Sequence, residues 1–181
     1  MNSQSVTVNV VVDAKIFHRF TVFDNLVRKR GLLLPAGFAV GMSALAWVFF
    51  APLDQRVLGS MVLFIGLVIP VSQVWGFFRS IKMQIKAYDL EHPKTVYSLC
   101  FAQEPNGIEV TNHGGGDEPL RYEWDNLYGV YRVDGCVYLY VLPNKAFLLP
   151  DGQALEGTDA LWEMLTKMLP PEKLHDRRKK R

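Results

Sequence analysis

GLLLPAGFAVGMSALAWVFFA, running from Gly31 to Ala51, and VLGSMVLFIGLVIPVSQVWGFF, from Val57 to Phe78, decide the fold of this 181-residue chain. Neither stretch contains a charged residue. At about 1.5 Å of rise per residue, each is long enough as a helix to span a hydrocarbon layer of roughly 30 Å. Only Pro52-Leu53-Asp54-Gln55-Arg56 separates them, so the pattern predicts a transmembrane helical hairpin over residues 31–78. In a soluble protein both runs would have to be covered, and the remaining sequence offers too little apolar surface to do it. A cleaved leader is also disfavoured. Its apolar region would hold about 7 to 15 residues, and here Phe49 occupies the third position before the small-residue cleavage point after Ala51.

The formal net charge of +2 says little, but the placement of charge says more. Arg28, Lys29 and Arg30 precede the first run, Arg79, Lys82 and Lys86 follow the second, and the connecting loop carries one acid and one base. The excess of basic flanks predicts that both termini face the cytoplasm, as in a multi-pass protein of a plasma membrane. Trp47 and Trp75 fall where interfacial aromatic residues belong. Gly37 and Gly41, extended by Ala44, form a small-residue face on the first helix, and Gly59, Gly66 and Gln73 recur every seven residues on the second. Close packing of the two helices is the expectation, and homo-oligomerisation through the Gly37-Gly41 face is the alternative. Pro35 falls in a first turn, where it is harmless, whereas Pro70 lies inside the second helix and predicts a kink. The absence of Asp, Glu, Lys, Arg and His from both runs argues against a transporter or pump.

The flanking sequence reads as one small cytoplasmic domain. Within residues 1–30, Val6 to Val12 is β-branched and predicts a strand leading into a juxtamembrane segment. Residues 79–92 place Ile81, Ile85 and Tyr88 opposite Lys82 and Lys86, an amphipathic helix that continues the second run and stops at Pro93. Over residues 93–170 the period changes to two, in segments starting at Val96, Gly107, Leu120, Leu127, Cys136 and Lys145. Pro105-Asn106-Gly107, Asp134-Gly135 and Pro143-Asn144 punctuate them. Gly157 to Leu169 is a closing helix, with Leu161, Trp162, Leu165, Met168 and Leu169 at helical spacing and Thr158 as N-cap. With the early strand this makes seven strands and a terminal helix. That order predicts a mainly β, α+β barrel of the pleckstrin-homology type, sealed by its C-terminal helix, followed by a polybasic tail over residues 171–181.

Tyr122-Glu123-Trp124-Asp125-Asn126-Leu127, then Val130-Tyr131, Val137-Tyr138-Leu139-Tyr140 and Lys145-Ala146-Phe147-Leu148-Leu149-Pro150 carry a resemblance. This run is similar to the C-terminal domain of the YcxB-like bacterial membrane proteins. The resemblance implies the same plan of an N-terminal strand, two membrane helices and a pleckstrin-homology-like domain. It implies no activity.

No constellation of catalytic residues stands out. Gly114-Gly115-Gly116 is followed by no Gly-Lys-Ser/Thr and reads as a hairpin tip. His18, His92, His113 and His175 lack metal-ligand spacing, no serine sits in a nucleophile elbow, and Cys100 and Cys136 read as buried free thiols. The expectation is a protein that is not an enzyme and uses no cofactor or metal. Tyr122, Trp124, Tyr128, Tyr131, Tyr138 and Tyr140 are divided by strand alternation between core and surface, and the outward ones form a patch that a protein partner would fit. Arg177, Arg178, Lys179, Lys180 and Arg181 are suited to anionic lipid beside a membrane, at about 1 kcal/mol per basic residue. Nucleic acid is disfavoured, since no basic domain face extends the tail. The expected function is a noncatalytic binding or scaffolding module tethered to the inner face of a bacterial plasma membrane. Its alternative is a small structural subunit that assembles through the hairpin.

Overall fold

The computed structural model describes residues 5–92, 95–102, 107–113 and 118–178. In chain order the elements are β1 (Ser5–Val11), α1 (Ala14–Val22), a π-helical turn (Phe23–Arg28), α2 (Leu33–Phe50), α3 (Arg56–Ala87), β2 (Thr95–Ala102) and β3 (Gly107–Asn112). They continue with β4 (Leu120–Tyr122), a 3-10 turn (Trp124–Asn126), β5 (Gly129–Val133), β6 (Cys136–Leu142), β7 (Lys145–Pro150), α4 (Thr158–Met168), a second 3-10 turn (Pro171–Lys173) and β8 (Leu174–Asp176). The chain forms two compact units, one joining the segment up to Phe17 with the segment from Leu90 onward, the other running from His18 to Asp89.

In the first unit β1 pairs antiparallel with β2, Val8 opposite Leu99 and Val6 opposite Phe101, although the whole helical segment lies between them in sequence. Val6, Val8 and Val10 are buried while Asn9 is exposed, the two-residue alternation of a strand with one wet face. Burial of such a side chain stabilises by about 1.5–3 kcal/mol, so β1 is a structural member of the domain. The strands form two four-stranded sheets, ordered β1-β2-β3-β4 and β7-β6-β5-β8.

The barrel expected from the sequence is therefore not a closed sheet among the described residues. At Trp124, expected in a strand, the chain turns in a 3-10 helix, and the indole Nε1 donates to the Ala102 carbonyl at 3.2 Å. The turn separates β4 from β5, and each sheet keeps an open edge. Parts of the edge strands β1 and β7 are covered by other groups. Leu155 N donates to the Thr7 carbonyl at 3.1 Å, and the Gln153 side-chain amide bonds both the N–H and the carbonyl of Val11, at 2.8 and 3.0 Å. On β7 the Tyr97 hydroxyl accepts from Leu148 N at 2.9 Å and donates to the Leu148 carbonyl at 3.2 Å. Side chains and one loop thus satisfy backbone groups that would otherwise be open to edge pairing.

Two further departures lie at the C-terminal end. Thr158 is the first helical residue of α4 and not its cap. Gly157 takes the cap position at φ +91°, and the Thr158 hydroxyl accepts from Gly152 N at 3.1 Å. Beyond Pro170-Pro171, where a free tail was expected, β8 adds to β5 as a parallel strand, an eighth strand among the described residues where seven were expected.

The second unit is helical. α2 and α3 are long and apolar enough to cross a membrane. α3 runs unbroken through Pro70 to Ala87, so the expected amphipathic segment is its last part, and Asp89 at φ +52° ends the run. Pro93 lies outside the described residues. Ser43, Ser60 and Ser72 donate to the carbonyls of Ala39, Arg56 and Ile69 of their own helices, at 2.8, 2.9 and 2.8 Å. Their hydroxyls thereby need no water. Upstream, α1 and the π-helical turn occupy residues for which no element was expected. Lys29 N closes the turn on the Asp24 carbonyl at 2.9 Å.

Candidate functional site

The two helices meet along a seam whose positions repeat every three or four residues. On α2 the less exposed positions are Pro35, Ala39, Met42, Ala46 and Phe49, and on α3 they include Gly59, Leu63, Gly66, Pro70 and Val74. Glycine is required where the backbones come closest. A Cβ on Gly66 would collide with the Met42 Cβ, and one on Gly59 would stand 2.9 Å from the Phe50 ring. Around Gly37 and Gly41 an added Cβ would meet nothing within 4 Å. Ala44 is exposed, and so is Gln73, whose amide has no hydrogen-bond partner among the described residues.

Toward the Leu32 end of α2 the helices part and leave a groove of about 800 Å³. Its walls are apolar, with Pro35, Ala36 and Ala39 facing Pro70, Val74 and Trp75, and Arg79 and Lys82 stand at one end. Small side chains on α2 provide the width. Pro70 removes one hydrogen bond of α3 at the other end of the groove. Neither Arg79 nor Lys82 is ion-paired among the described residues, whereas Asp24, buried in the π-helical turn, is held by Arg28 Nε at 2.6 Å and Lys29 Nζ at 2.7 Å. The acid is neutralised locally and the two cations of α3 are not.

A second cluster lies in the β unit. Arg132 of β5, buried, donates to Asp159 Oδ1 at 2.6 Å and places its guanidinium 5.3 Å from the centre of the Trp162 ring. That hydrogen bond holds the Asp159 carboxyl below the usual range. Asp151 responds in the opposite direction, because loss of solvation outweighs the nearby Arg132 and pushes its carboxyl up. Asp176 is lowered by Arg178, whose Nη2 donates to it at 2.6 Å, and Arg177 N donates to the Arg132 carbonyl at 2.8 Å. These pairs clamp α4 and β8 onto β5. They include no nucleophile, and Arg178, expected to reach lipid, is engaged with Asp176. Lys179, Lys180 and Arg181 lie outside the described residues.

The aromatic cluster is largely internal. Trp124, Tyr138 and Tyr140 are buried, Tyr122 and Tyr131 half-buried, and Tyr128 is the exposed member. Cys136 is a buried free thiol and Cys100 a half-buried one. His18 stacks on Phe78, His113 bonds the Ser98 hydroxyl at 2.7 Å, and His175 lies against Tyr131, so these histidines belong to separate places. Among the described residues no group of His, Cys, Asp and Glu is arranged to hold a metal. Gly114, Gly115 and Gly116 lie outside them. The groove escaped sequence reading because Arg79 and Lys82 registered there only as flanking charge. Comparison with family models, curated proteins and solved structures finds no match to this chain.

Proposed function

We propose that this chain is a noncatalytic binding or scaffolding module of the pleckstrin-homology type, held at the inner face of a bacterial plasma membrane by α2 and α3. The observation that carries the reading is the pairing of β1 with β2 across the helical insertion. Residues before the helix pair and residues after it belong to one sheet, so the chain must return to the side it left, which two crossings accomplish. The basic flanks then orient both termini inward. The resemblance to YcxB-like proteins in Tyr122 to Pro150 supports the same plan. The test is fractionation of full-length protein from bacterial cells. Retention in the membrane pellet through an alkaline carbonate wash is expected, and release into the supernatant would contradict the reading.

A second reading, a structural subunit assembling through its helices, is favoured by the open Gly37-Gly41 face and by the unpartnered Gln73 amide. The two differ in where a partner binds. Recovery of a defined partner by the β unit alone, residues 5–12 linked to 92–181, supports the module, and assembly only by the full chain supports the subunit.

A further inference from the structure

We infer that the groove between α2 and α3 is a binding site for one anionic phospholipid of the surrounding membrane, with an acyl chain along the apolar walls and the phosphate on Arg79 and Lys82. The inference rests on the membrane reading above and goes beyond it, since it assigns a ligand to the helices themselves.

Three observations fit this occupant. The walls are apolar almost throughout, and Arg79 and Lys82 are the polar side chains among the lining residues, the layout of a site for an amphiphile with one anionic end. The two cations lie three residues apart, hence on one helix face, and neither has an ion pair among the described residues. A phosphate between them would be bound by charge-assisted hydrogen bonds. Length is the third. From Pro70 to Lys82 a helix rises about 18 Å, close to half of a hydrocarbon layer of roughly 30 Å plus the approach to the headgroups. The groove therefore matches one leaflet. A soluble anion would leave the apolar walls empty, and a neutral lipid would leave the cations unmatched.

Trp75 lines the groove and reports on its occupant. The full-length chain carrying Trp47→Phe is reconstituted in phosphatidylcholine vesicles containing a small fraction of lipid brominated on its acyl chains, either phosphatidylglycerol or phosphatidylcholine. Fluorescence quenching is read against the same protein with Trp75→Phe added. The site predicts that brominated phosphatidylglycerol quenches Trp75 at several-fold lower mole fraction than brominated phosphatidylcholine. Arg79→Gln with Lys82→Gln should abolish that difference, and the charge-conserving exchange Arg79→Lys with Lys82→Arg should keep it, which separates loss of the site from misfolding. Ala36→Phe, which fills the groove and leaves the charges, should reduce quenching by phosphatidylglycerol toward the phosphatidylcholine level. Equal quenching by both lipids in the parent protein would overturn the site while leaving the membrane reading intact. No quenching by either lipid would overturn both.

Discussion

In the β unit the large side chains are inside, with Val8, Leu99, Phe101 and Leu139 at 0 % exposure, whereas within the charge-free runs of α2 and α3 the buried residues are Ala46, Gly59 and Gly66 and the large ones stand outside, Leu34 at 79 % and Trp75 at 73 %; Ile81, beyond the second run, is the large buried side chain of α3. The two regions solve the problem of apolar surface in opposite ways. In water, removing Val and Leu side chains from solvent drives packing, and strand alternation puts them on one face. Two helices that expose their leucines gain nothing by hiding them from an apolar medium. Their contact depends instead on close approach of backbones, which glycine and alanine permit. Exposed apolar surface on this scale marks a surface to be covered by lipid or by a partner.

The contrast can be broken most severely at β1. Removing residues 1–12 deletes four buried valines, each contributing about 1.5–3 kcal/mol, and opens an edge of β2. Cooperative thermal unfolding of the β unit, followed by the fluorescence of buried Trp124, should disappear. An unchanged transition would mean that β1 is an accessory. The helix pair should be sensitive at different residues. Gly66→Ala forces a Cβ onto that of Met42 and should weaken the pairing by about 1–3 kcal/mol in a detergent titration. Gly37→Ala, at an open position, should change it by less than about 0.5 kcal/mol. Equal effects at the two glycines would erase the seam.

Smaller effects test how the β unit covers its edges. Tyr97→Phe strands both backbone groups of Leu148 and should cost about 1–3 kcal/mol of thermal stability with the sheets retained by circular dichroism. Subtler still is the clasp around Arg132. Because the Asp159 carboxyl is depressed in the folded state, its contribution is present above the unfolded value and is lost as pH falls through the folded one. Asp151 is raised, so its contribution has the opposite sign and favours the folded state as pH falls. Carboxyl carbon NMR should show Asp151 titrating at higher pH than Asp159, and Arg132→Gln should move both upward, since Arg132 lowers each of them. A common midpoint would deny the clasp.

What the sequence made legible was whatever repeats. Charge-free runs of helix length marked α2 and α3, alternating valines marked β1, and the strand segments of 107–150 begin at or within two residues of their expected starts. The unread parts depend on tertiary partners. β8 is the three residues Leu174, His175 and Asp176, too short to show a period, and exists because β5 offers an edge. The Gln153 amide on Val11 and the Tyr97 hydroxyl on Leu148 join residues far apart in sequence, so no local pattern announces that they take the place of barrel-closing strands. α1 was within reach, for Ile16, Phe17 and Phe20 alternate with Lys15, His18 and Arg19 at helical spacing. Of the groove, the cations were visible in the sequence and the cavity was not, because its walls come from opposite ends of two helices.

Two crossings of a membrane would return the chain to the side on which β1 and β2 join. With Cys100 and Cys136 replaced by serine, or their labelling subtracted, single cysteines are placed at Gln55, between the helices, and at Gly157, before α4. In intact cells an impermeant thiol reagent should label the cysteine at residue 55 and leave the one at residue 157 unlabelled until the membrane is permeabilised. Labelling of residue 157 alone would invert the orientation, and labelling of neither or both before permeabilisation would contradict the two crossings.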